Sequence, residues 1–364
     1  MRTDDHALQD VLIGAYQYVI ARYDCDGLRI DTLRYLQGDL PRLFGNAIRE
    51  FALSIGKKNF FTFGEVFDPN AEADIARFVG RNTNDGGELV GVDAALDYPL
   101  EFALPSVLKG FLPPSAVVDL YERRKAIERP IVSSHGDATR FFVTFLDNHD
   151  LKQRFYFVDP ANPHQFDNQL TLAVACLFSL QGIPCLYYGT EQGLHGRGSD
   201  DPAVREALWG KPGVAFDRTN PLYQDLQAIG RTRAEQPALR YGRQYMRPIS
   251  GDGQTFGVSP FAPGVLAFSR ILNGDEVVVA SNTSTTGGAG VFVIIDSALN
   301  HPGDVLEIIY SNKSAPIPPG LVTLLGAGGT LTVHEPDGST GRGPLSAVRV
   351  TLQPLEVQIL RKRG

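Results

Sequence analysis

The sequence predicts an α/β domain with a parallel sheet, followed by a separate antiparallel β domain, most simply a sandwich. Over about the first two-thirds of the 364 residues, strand patterns alternate with amphipathic helix patterns, which is typical of βαβ units. From about Gln236 no helical periodicity remains, and short β-rich runs alternate with glycine, proline and asparagine turns. We therefore predict a first domain over residues 1–237 and a second over residues 238–364.

The elements of the first domain follow from the spacing of their apolar residues. Helices are predicted over residues 8–21, 41–55, 114–128, 168–180 and 221–233. Strands are predicted over residues 27–31, 60–65, 90–93, 141–146 and 183–188. Residues 82–87 are polar and rich in glycine and asparagine, and they predict a loop. Together these patterns amount to about five βα units.

The second domain is predicted from short runs of aliphatic and β-branched residues. These runs cover residues 265–272, 276–281, 291–295, 305–310 and 348–360. Turn residues separate them, including Asn273-Gly274-Asp275 and the glycine-rich residues 287–290. None of the glycine-rich stretches has phosphate-loop spacing at a strand-to-helix junction, so each is interpreted as a turn between strands.

Composition limits the classes of function that this chain can serve. Hydrophobic residues make up 43% of it and charged residues 21%, which excludes disorder, collagen and coiled coil. The net charge of −7 disfavours a nucleic-acid partner, because phosphate binding needs clustered Lys and Arg. The most apolar stretch, residues 170–188, is interrupted by polar residues and proline, and the start lacks an apolar h-region. We therefore expect a cytoplasmic protein without a membrane partner.

Three acidic residues stand at the ends of predicted strands. Asp31 ends the first strand, Glu65 ends the second, and Asp150 follows the fourth. In a parallel α/β barrel the active site lies at the C-terminal ends of the strands, so we expect these carboxylates to converge on one pocket. A lone acid at a strand end is more often a helix N-cap or a surface ion pair. Three such acids, with Arg29 and His149 adjacent, weaken that interpretation, but the spacing alone leaves both open.

Neighbouring residues predict different protonation states for two of these acids. Arg29 and Asp31 are two residues apart in a strand, so their side chains point to the same side. A guanidinium beside a carboxylate favours its ionised form. Glu65 follows the aromatic run Phe60-Phe61-Thr62-Phe63, where partial desolvation favours the protonated form. One ionised and one protonated carboxyl group is the arrangement that glycoside hydrolysis needs.

Four segments resemble signature motifs of the α-amylase family, glycoside hydrolase family 13. Residues 26–31 (DGLRID) resemble its G-x-R-x-D motif, and residues 63–67 (FGEVF) resemble its G-E-x-x acid motif. Residues 145–150 (FLDNHD) resemble its F-x-x-N-H-D motif, and residues 182–191 resemble its eighth barrel strand. All four occur in the family's order. The resemblance implies a partial (β/α)8 TIM barrel of about five βα units, followed by an antiparallel all-β sandwich.

The resemblance also implies a retaining mechanism at α-glucosidic bonds and assigns a role to each residue. Asp31 is expected to attack the anomeric carbon, and Glu65 to act first as acid and then as base. Asp150 is expected to stabilise the transition state, with His149 on the same sugar ring and Arg29 orienting Asp31. Four further residues are expected to bind sugar: Arg34, Tyr35, Phe67 and Asn148. Retention requires the Asp31 and Glu65 carboxyl groups to be about 5–5.5 Å apart.

The sequence also departs from the family pattern. Arg34-Tyr35 stands where many α-amylases have a Lys-His pair, so endo-acting starch hydrolysis is not assumed. The first helix and strand correspond to the family's third helix and fourth strand, and its Asp-x-x-x-Asn-His motif has no counterpart. We therefore expect the C-terminal portion of a longer enzyme, without the first three strands and the inserted domain. We expect no cofactor, since that region supplies most ligands of the structural Ca²⁺ in relatives.

Three functions remain open at this point. The first is a retaining hydrolase acting on starch-like oligosaccharides or small α-glucosides, and the second is a glucanotransferase that uses a sugar as acceptor. The third is an inactive glycan-binding or vestigial protein. Asp93 and Asp97 fit a sugar pocket and a capping or turn role equally well. The loop over residues 193–201 follows the last predicted strand, so it is expected on the catalytic face.

Overall fold

The computed structural model describes the chain in the following ranges: 2–36, 39–67, 75, 78, 83–85, 88–90, 92–128, 140, 142–198, 201–210, 216–313, 320–329 and 331–363. Contacts divide the chain into two compact units. The first comprises Met1–Phe102, Arg123–Thr144 and Gly182–Cys185, and the second comprises Ala103–Glu122, Phe145–Gln181 and Leu186–Gly364. This division does not follow the predicted domain boundary between residues 237 and 238, which stays a prediction.

A parallel sheet forms the centre of the first unit. The strands up to residue 185 are β1 (Gly27–Ile30), β2 (Phe61–Gly64), β3 (Thr83–Asp85), β4 (Glu88–Val90), β5 (Ala94–Leu96), β6 (Phe142–Thr144) and β7 (Ile183–Pro184). Within the described ranges, five of them pair in the order β1-β2-β5-β6-β7, and every pair is parallel. The α/β fold class predicted from alternating patterns is therefore confirmed.

Helices follow most of the predicted patterns to within two residues at either end. They are α1 (His6–Tyr23), α2 (Leu40–Ser54), α3 (Tyr98–Leu108), α4 (Ser115–Glu128), α5 (Asp167–Ser179), α6 (Asp201–Val204), α7 (Pro221–Glu235) and α8 (Pro237–Tyr241). Helix α3 was not predicted, because Pro105 lies inside it and prolines ordinarily interrupt helices. None of the described helices is long and apolar enough to span a membrane.

Two predictions between residues 82 and 93 differ from the structure. The predicted loop over residues 82–87 contains β3, which pairs with β4 as an antiparallel hairpin. The strand predicted over residues 90–93 lies further along, as β5. Asp93 explains the shift, because its Oδ2 accepts the backbone N–H of Thr62 at 2.9 Å, and its own N–H donates to the Thr62 carbonyl oxygen. These contacts place β5, beginning at Ala94, beside β2.

The second unit contains the antiparallel β domain. Its strands are β8 (Arg243–Met246), β9 (Ile249–Ser250), β10 (Thr255–Phe256), β11 (Val265–Leu272), β12 (Asp275–Asn282), β13 (Ala289–Ile294), β14 (Val305–Ser311), β15 (Gly320–Leu325), β16 (Thr332–His334), β17 (Thr340–Arg342), β18 (Leu345–Leu352) and β19 (Val357–Lys362). Nine of the described strands pair in the order β8-β11-β12-β19-β14-β15-β18-β13-β9. The buried core includes Val278, Val293, Leu306 and Val348. The predicted all-β sandwich is confirmed.

One predicted strand of this domain is two strands in the structure. The apolar run over residues 348–360 divides into β18 and β19, which are separated by Gln353–Glu356. Pro354 cannot donate to a ladder, and Leu355 adopts a left-handed φ of 53°. The turn was not predicted because Leu355 is buried, so the apolar pattern of the sequence continues through it.

A close approach between Gly64 and Leu33 packs the end of β2 against the chain that follows β1. A Cβ atom on Gly64 would lie 2.1 Å from the Leu33 Cδ2 atom. Leu33 is fully buried in a cluster with Val66, Ala95 and Phe142. Glycine at position 64 therefore allows the segments carrying the two strand-end acids to pack closely.

We predict that Gly64→Ala lowers the free energy of unfolding by about 1–3 kcal/mol, because the added methyl group overpacks the site against Leu33. Gly14→Ala is the matched control. Gly14 lies in α1, where an added Cβ meets nothing within 4 Å, so that variant should gain roughly 0.5–1 kcal/mol from helix propensity. Urea titration of both variants beside the wild type measures the difference. A Gly64→Ala variant as stable as Gly14→Ala would contradict the packing argument.

Candidate active site

The pairing of β1 with β2 sets the position of Glu65 relative to Asp31. The two strands run parallel in register, from Gly27 opposite Phe61 to Ile30 opposite Gly64. The ladder then continues by one bond, since the Glu65 N–H donates to the Ile30 carbonyl oxygen at 2.9 Å. Asp31 and Glu65 therefore stand side by side where their strands end. This is the placement expected from the sequence for these two acids.

Arg29 contacts both carboxylates. Its Nη1 donates to Asp31 Oδ1, while its Nη2 lies 3.4 Å from Glu65 Oε2. The guanidinium group is rigid and planar, so two acids that contact its two Nη atoms are held in a fixed relation. Arg29 thus contacts Asp31 and also Glu65, and the second contact was not expected. The expected role of Arg29 in orienting Asp31 stays a prediction. The predicted separation of about 5–5.5 Å between the carboxyl groups stays a prediction.

Glu65 is more enclosed than Asp31 and has further partners. The Thr32 N–H donates to Glu65 Oε2 at 3.1 Å, and the Tyr98 hydroxyl donates to Glu65 Oε1 at 3.5 Å. The Glu65 side chain is 14% exposed, whereas that of Asp31 is 68% exposed. Thr32 has a left-handed φ of 51°, within the turn that follows Asp31. Asp31 is therefore open to a reacting molecule, and Glu65 is held in place from several directions.

Sequence reasoning missed Thr32 and Tyr98 as partners of Glu65. Thr32 contributes only a backbone N–H, whose direction depends on the local φ angle and not on residue type. Tyr98 lies 33 residues after Glu65 in the chain, at the start of α3, which was not predicted. Only the pairing of β2 with β5 could have indicated that this tyrosine lies near the acid.

Three of the residues expected to bind sugar lie in the same unit as Asp31 and Glu65. Arg34 Nη1 donates to the Phe67 carbonyl oxygen at 3.3 Å, and Tyr35 is exposed. The Phe67 ring packs edge-on against Tyr98, with ring centroids 4.9 Å apart, and it lies 6.3 Å from the Phe102 ring. Phe67 is 49% exposed and Phe102 is 45% exposed. These two half-exposed rings form an aromatic shelf around Tyr98, and Phe102 was not predicted.

Asp93 and Asp97 have structural partners. Asp93 is buried and crosslinks β2 through Thr62. Asp97 is fully buried, contacts the Arg124 guanidinium, and accepts the Leu100 N–H at 3.1 Å at the start of α3. For these two residues the structure favours the capping and turn interpretation over the sugar pocket.

Asn148, His149 and Asp150 belong to the second unit, where they form a tight turn. Asn148 Oδ1 accepts the Asp150 N–H at 2.8 Å, and His149 Nε2 lies 3.1 Å from Asp150 Oδ2. Arg205 closes this turn, because its Nη2 donates to Asp150 Oδ1 at 3.0 Å and its Nε donates to the His149 carbonyl oxygen at 3.0 Å. The expected convergence of Asp150 with Asp31 and Glu65 stays a prediction.

Arg205 is a further residue that sequence reasoning missed. It lies 55 residues after Asp150, just beyond the end of α6. The one indication available was that the loop over residues 193–201 follows the last predicted strand, and Arg205 lies shortly after that loop. No local motif singles it out.

Asp147 is buried next to this turn. Its Oδ2 accepts the Phe155 N–H at 2.7 Å. Burial raises the pKa of Asp147, and this effect outweighs the hydrogen bond from Phe155 and the nearby charges of Arg154 and Lys109. Burial also lowers the pKa of Lys109. The turn that carries Asp150 therefore begins at a carboxyl group whose protonation couples to folding.

No group of three or more His, Cys, Asp or Glu side chains in the described ranges is arranged to hold a metal ion. The expected absence of a cofactor stays a prediction. Cys25, Cys176 and Cys185 are free cysteines.

Comparison with known proteins places these features in a family. A family model described as "Alpha amylase, catalytic domain" matches residues 1–245. The chain is 26% identical to an α-amylase of Streptomyces lividans, over 91% of this chain and 38% of that protein. It is 27% identical to a cyclomaltodextrin glucanotransferase of Geobacillus stearothermophilus, over 73% of this chain and 31% of that protein. The chain thus spans well under half the length of these relatives.

Solved structures are similar in fold. The crystal structure of an α-amylase from Geobacillus thermoleovorans, complexed with acarbose, matches with a TM-score of 0.65 at 23% identity. The match covers 99% of this chain and 65% of that chain. At this level of identity the likeness concerns the fold, and it extends over both the parallel sheet and the β domain.

We predict opposite pH dependence for two aspartates. Because burial raises the pKa of Asp147 above its ordinary value of 3.8, the native protein binds this proton more tightly than the unfolded chain does. The wild type should therefore lose stability relative to Asp147→Asn as the pH rises from below 3.8 through the raised pKa. Thermal midpoints of both proteins between pH 3 and about pH 7 measure this difference.

Asp252 provides the control of opposite sign. Hydrogen bonds from the backbone N–H groups of Gln254 and Thr255, and from the Ser250 hydroxyl, lower its pKa to about 2. The wild type should therefore gain stability relative to Asp252→Asn as the pH rises from about 2 to about 4. If both differences change in the same direction with pH, burial of Asp147 does not govern its protonation.

Proposed function

This chain belongs to the α-amylase family, as its four motifs predicted, and we propose that it cleaves α-glucosidic bonds with retention of configuration. The proposed substrates are starch-like oligosaccharides or small α-glucosides. The observation that carries the proposal is the contact of one guanidinium, that of Arg29, with both Asp31 and Glu65. This arrangement pairs an exposed carboxylate with an enclosed carboxyl group, and retaining glycoside hydrolysis uses two such groups.

In the first step, an Asp31 carboxylate oxygen forms a bond to the anomeric carbon while the bond to the leaving oxygen breaks. Glu65 gives its proton to that oxygen, so the leaving sugar departs as an alcohol. The Arg29 guanidinium orients Asp31 for the attack, and the N–H of Thr32 and the hydroxyl of Tyr98 keep Glu65 in place. The product of this step is a covalent glycosyl-enzyme.

In the second step, Glu65 takes a proton from the acceptor, whose oxygen attacks the anomeric carbon and releases Asp31. Two inversions at this carbon give net retention. Asp150 is proposed to bind sugar hydroxyl groups and to stabilise the positive charge of the transition state, with Asn148 and His149 at the same ring. Arg34 and Tyr35 are proposed to bind the acceptor sugar.

A glucanotransferase is the second candidate, and the aromatic shelf favours it. Phe67 and Phe102 expose about half of each ring, and both lie near Tyr98, whose hydroxyl contacts Glu65. Aromatic rings stack on the apolar faces of sugars, and such a surface beside the acid helps a sugar compete with water as acceptor. Hydrolysis and transfer then share one glycosyl-enzyme and differ in what attacks it.

We expect Asp31→Asn to lower kcat on maltoheptaose by about a thousandfold or more, because the amide cannot form the glycosyl-enzyme. Asp26→Asn is the matched control, since Asp26 directly precedes β1 and is an exposed partner of Lys57. It should leave kcat within about twofold of the wild type. Release of reducing sugar measures the rates, and proton NMR of the first product should show the α anomer.

Equal rates for the wild type and Asp31→Asn would reject Asp31 as the nucleophile, and a β anomer as the first product would reject retention. A wild type that binds maltoheptaose in calorimetry without converting it would instead support a glycan-binding protein. Each of these outcomes excludes a different part of the proposal.

We expect Phe67→Ala to lower the ratio of transfer to hydrolysis by about threefold to tenfold with maltotriose as donor and acceptor. The lost ring removes stacking energy of about 0.5–1.5 kcal/mol for the acceptor sugar and none for water. Tyr23→Ala is the control, because Tyr23 is also an exposed aromatic residue of the first unit but lies at the end of α1, ahead of β1 and therefore at the opposite end of that strand from Asp31. Chromatography of longer and shorter maltooligosaccharides, set against new reducing ends, gives the ratio. An unchanged ratio argues against the shelf as an acceptor site.

A further inference from the structure

Arg154 is a buried arginine in the second unit, four residues after Asp150. It is 1% exposed, and its Nη1 donates to the Tyr188 carbonyl oxygen at 2.8 Å. Its guanidinium lies over the Tyr187 ring at 4.2 Å, and its Nε lies 3.4 Å from Glu206 Oε1. A buried guanidinium carries a large desolvation cost, so contacts of this kind are needed to retain it in the fold. The proposed chemistry gives Arg154 no role.

Glu206 ties this arginine to the loop expected on the catalytic face. Its Oε1 also accepts the Gly196 N–H at 2.7 Å, and its carbonyl oxygen accepts the Tyr188 hydroxyl at 2.7 Å. The Arg154 N–H donates to the Gly196 carbonyl oxygen at 3.3 Å. Glycine is required at 196, because an added Cβ would lie 1.8 Å from the Ala203 carbonyl oxygen and 2.7 Å from Glu206 Oε1. We refer to Arg154, Glu206 and Gly196 as the clamp.

The clamp is adjacent to the contact between Asp150 and Arg205. Asp150 and Arg154 lie on one segment, and Arg205 and Glu206 lie on the other. Asp150 pairs with Arg205 at 3.0 Å, and Arg154 pairs with Glu206 at 3.4 Å. On each segment, therefore, an acid and a base face a residue of opposite charge on the other segment.

We propose that the clamp is a positioning device: the Arg154–Glu206 pair holds Arg205 against Asp150 and thereby fixes the orientation of the Asp150 carboxylate. Glu206 directly follows Arg205 in the chain. Contacts of Glu206 with the buried Arg154 and with Gly196 therefore restrict the backbone position from which the Arg205 side chain extends. Polar interactions of this kind can fix one arrangement of side chains even when they add little stability. This inference rests on the proposed function only where it concerns sugar cleavage.

The decisive variant is Glu206→Gln, which keeps the shape and an oxygen acceptor for the Gly196 N–H but removes the charge facing Arg154. Glu276→Gln is the matched control in the same unit. Glu276 is a buried glutamate that is likewise paired with an arginine, since Arg247 Nη2 lies 2.6 Å from its Oε1. That pair lies in the β domain, away from the Asp150 turn in sequence. Any general effect of removing the charge of a paired glutamate should therefore be the same in both variants, and a larger effect of Glu206→Gln is specific to its position.

Two readouts are measured on the full chain at a temperature where all variants are folded. Hydrogen exchange by mass spectrometry follows peptides covering residues 147–155, and steady-state kinetics with maltoheptaose gives kcat/KM. Glu206→Gln should speed exchange in those peptides at least about fivefold and lower kcat/KM by about 10–100-fold, as small misplacements near reacting groups do. Glu276→Gln should change both by less than about twofold.

A double variant tests whether Glu206 acts through Asp150. In the Asp150→Asn background, Glu206→Gln should lower kcat/KM by less than about threefold more, because residues that act as a unit are not additive. Additive losses, or equal exchange in Glu206→Gln and Glu276→Gln, would overturn the positioning role. If the wild type does not convert maltoheptaose, the proposed function fails. The hydrogen-exchange data then still test whether the clamp positions the segment that carries Asp150. Should Glu206→Gln not fold, Arg154→Lys keeps the charge, loses the planar fork and is expected to act in the same direction.

Discussion

The contact of Arg29 with both Asp31 and Glu65 is the interaction on which the candidate site depends. It forms because parallel pairing of β1 with β2 ends both strands at the same level, and because Gly64 lets the two strand ends pack closely. The guanidinium is rigid and planar, so contact with both carboxyl groups holds them in a fixed relation. Without the strand register, Arg29 could still contact Asp31, but Glu65 would lose its place beside them.

Differences in enclosure fit the different tasks proposed for the two acids. Asp31 contacts Arg29 but is largely exposed, so it remains accessible to a sugar. Glu65 is enclosed and contacts the Thr32 N–H and the Tyr98 hydroxyl. Proton transfer requires a carboxyl group that stays at one position through both steps, and nucleophilic attack requires one that a substrate can reach. Two carboxyl groups of similar chemistry are thus suited to different tasks by their different surroundings.

The second unit uses arginine in a comparable way. Arg205 holds the Asp150 turn through a side-chain and a main-chain contact, and the clamp holds the segment that carries Arg205. Asp147, one residue before the turn, is buried and accepts a main-chain N–H. In both units, therefore, a carboxylate with a proposed catalytic role contacts a guanidinium. The rigid fork of arginine suits that task better than a lysine would, because it fixes direction as well as charge.

The sequence by itself determined the fold class, most helices and strands, and the acids at the strand ends, because apolar periodicity and short motifs are local properties. It did not find α3, whose internal proline obscured it, or the turn between β18 and β19, where a buried Leu355 continued the apolar pattern. Thr32, Tyr98, Arg205 and Glu206 were also missed. Their roles depend on a backbone angle or on contacts across many residues of chain, and only tertiary structure decides those.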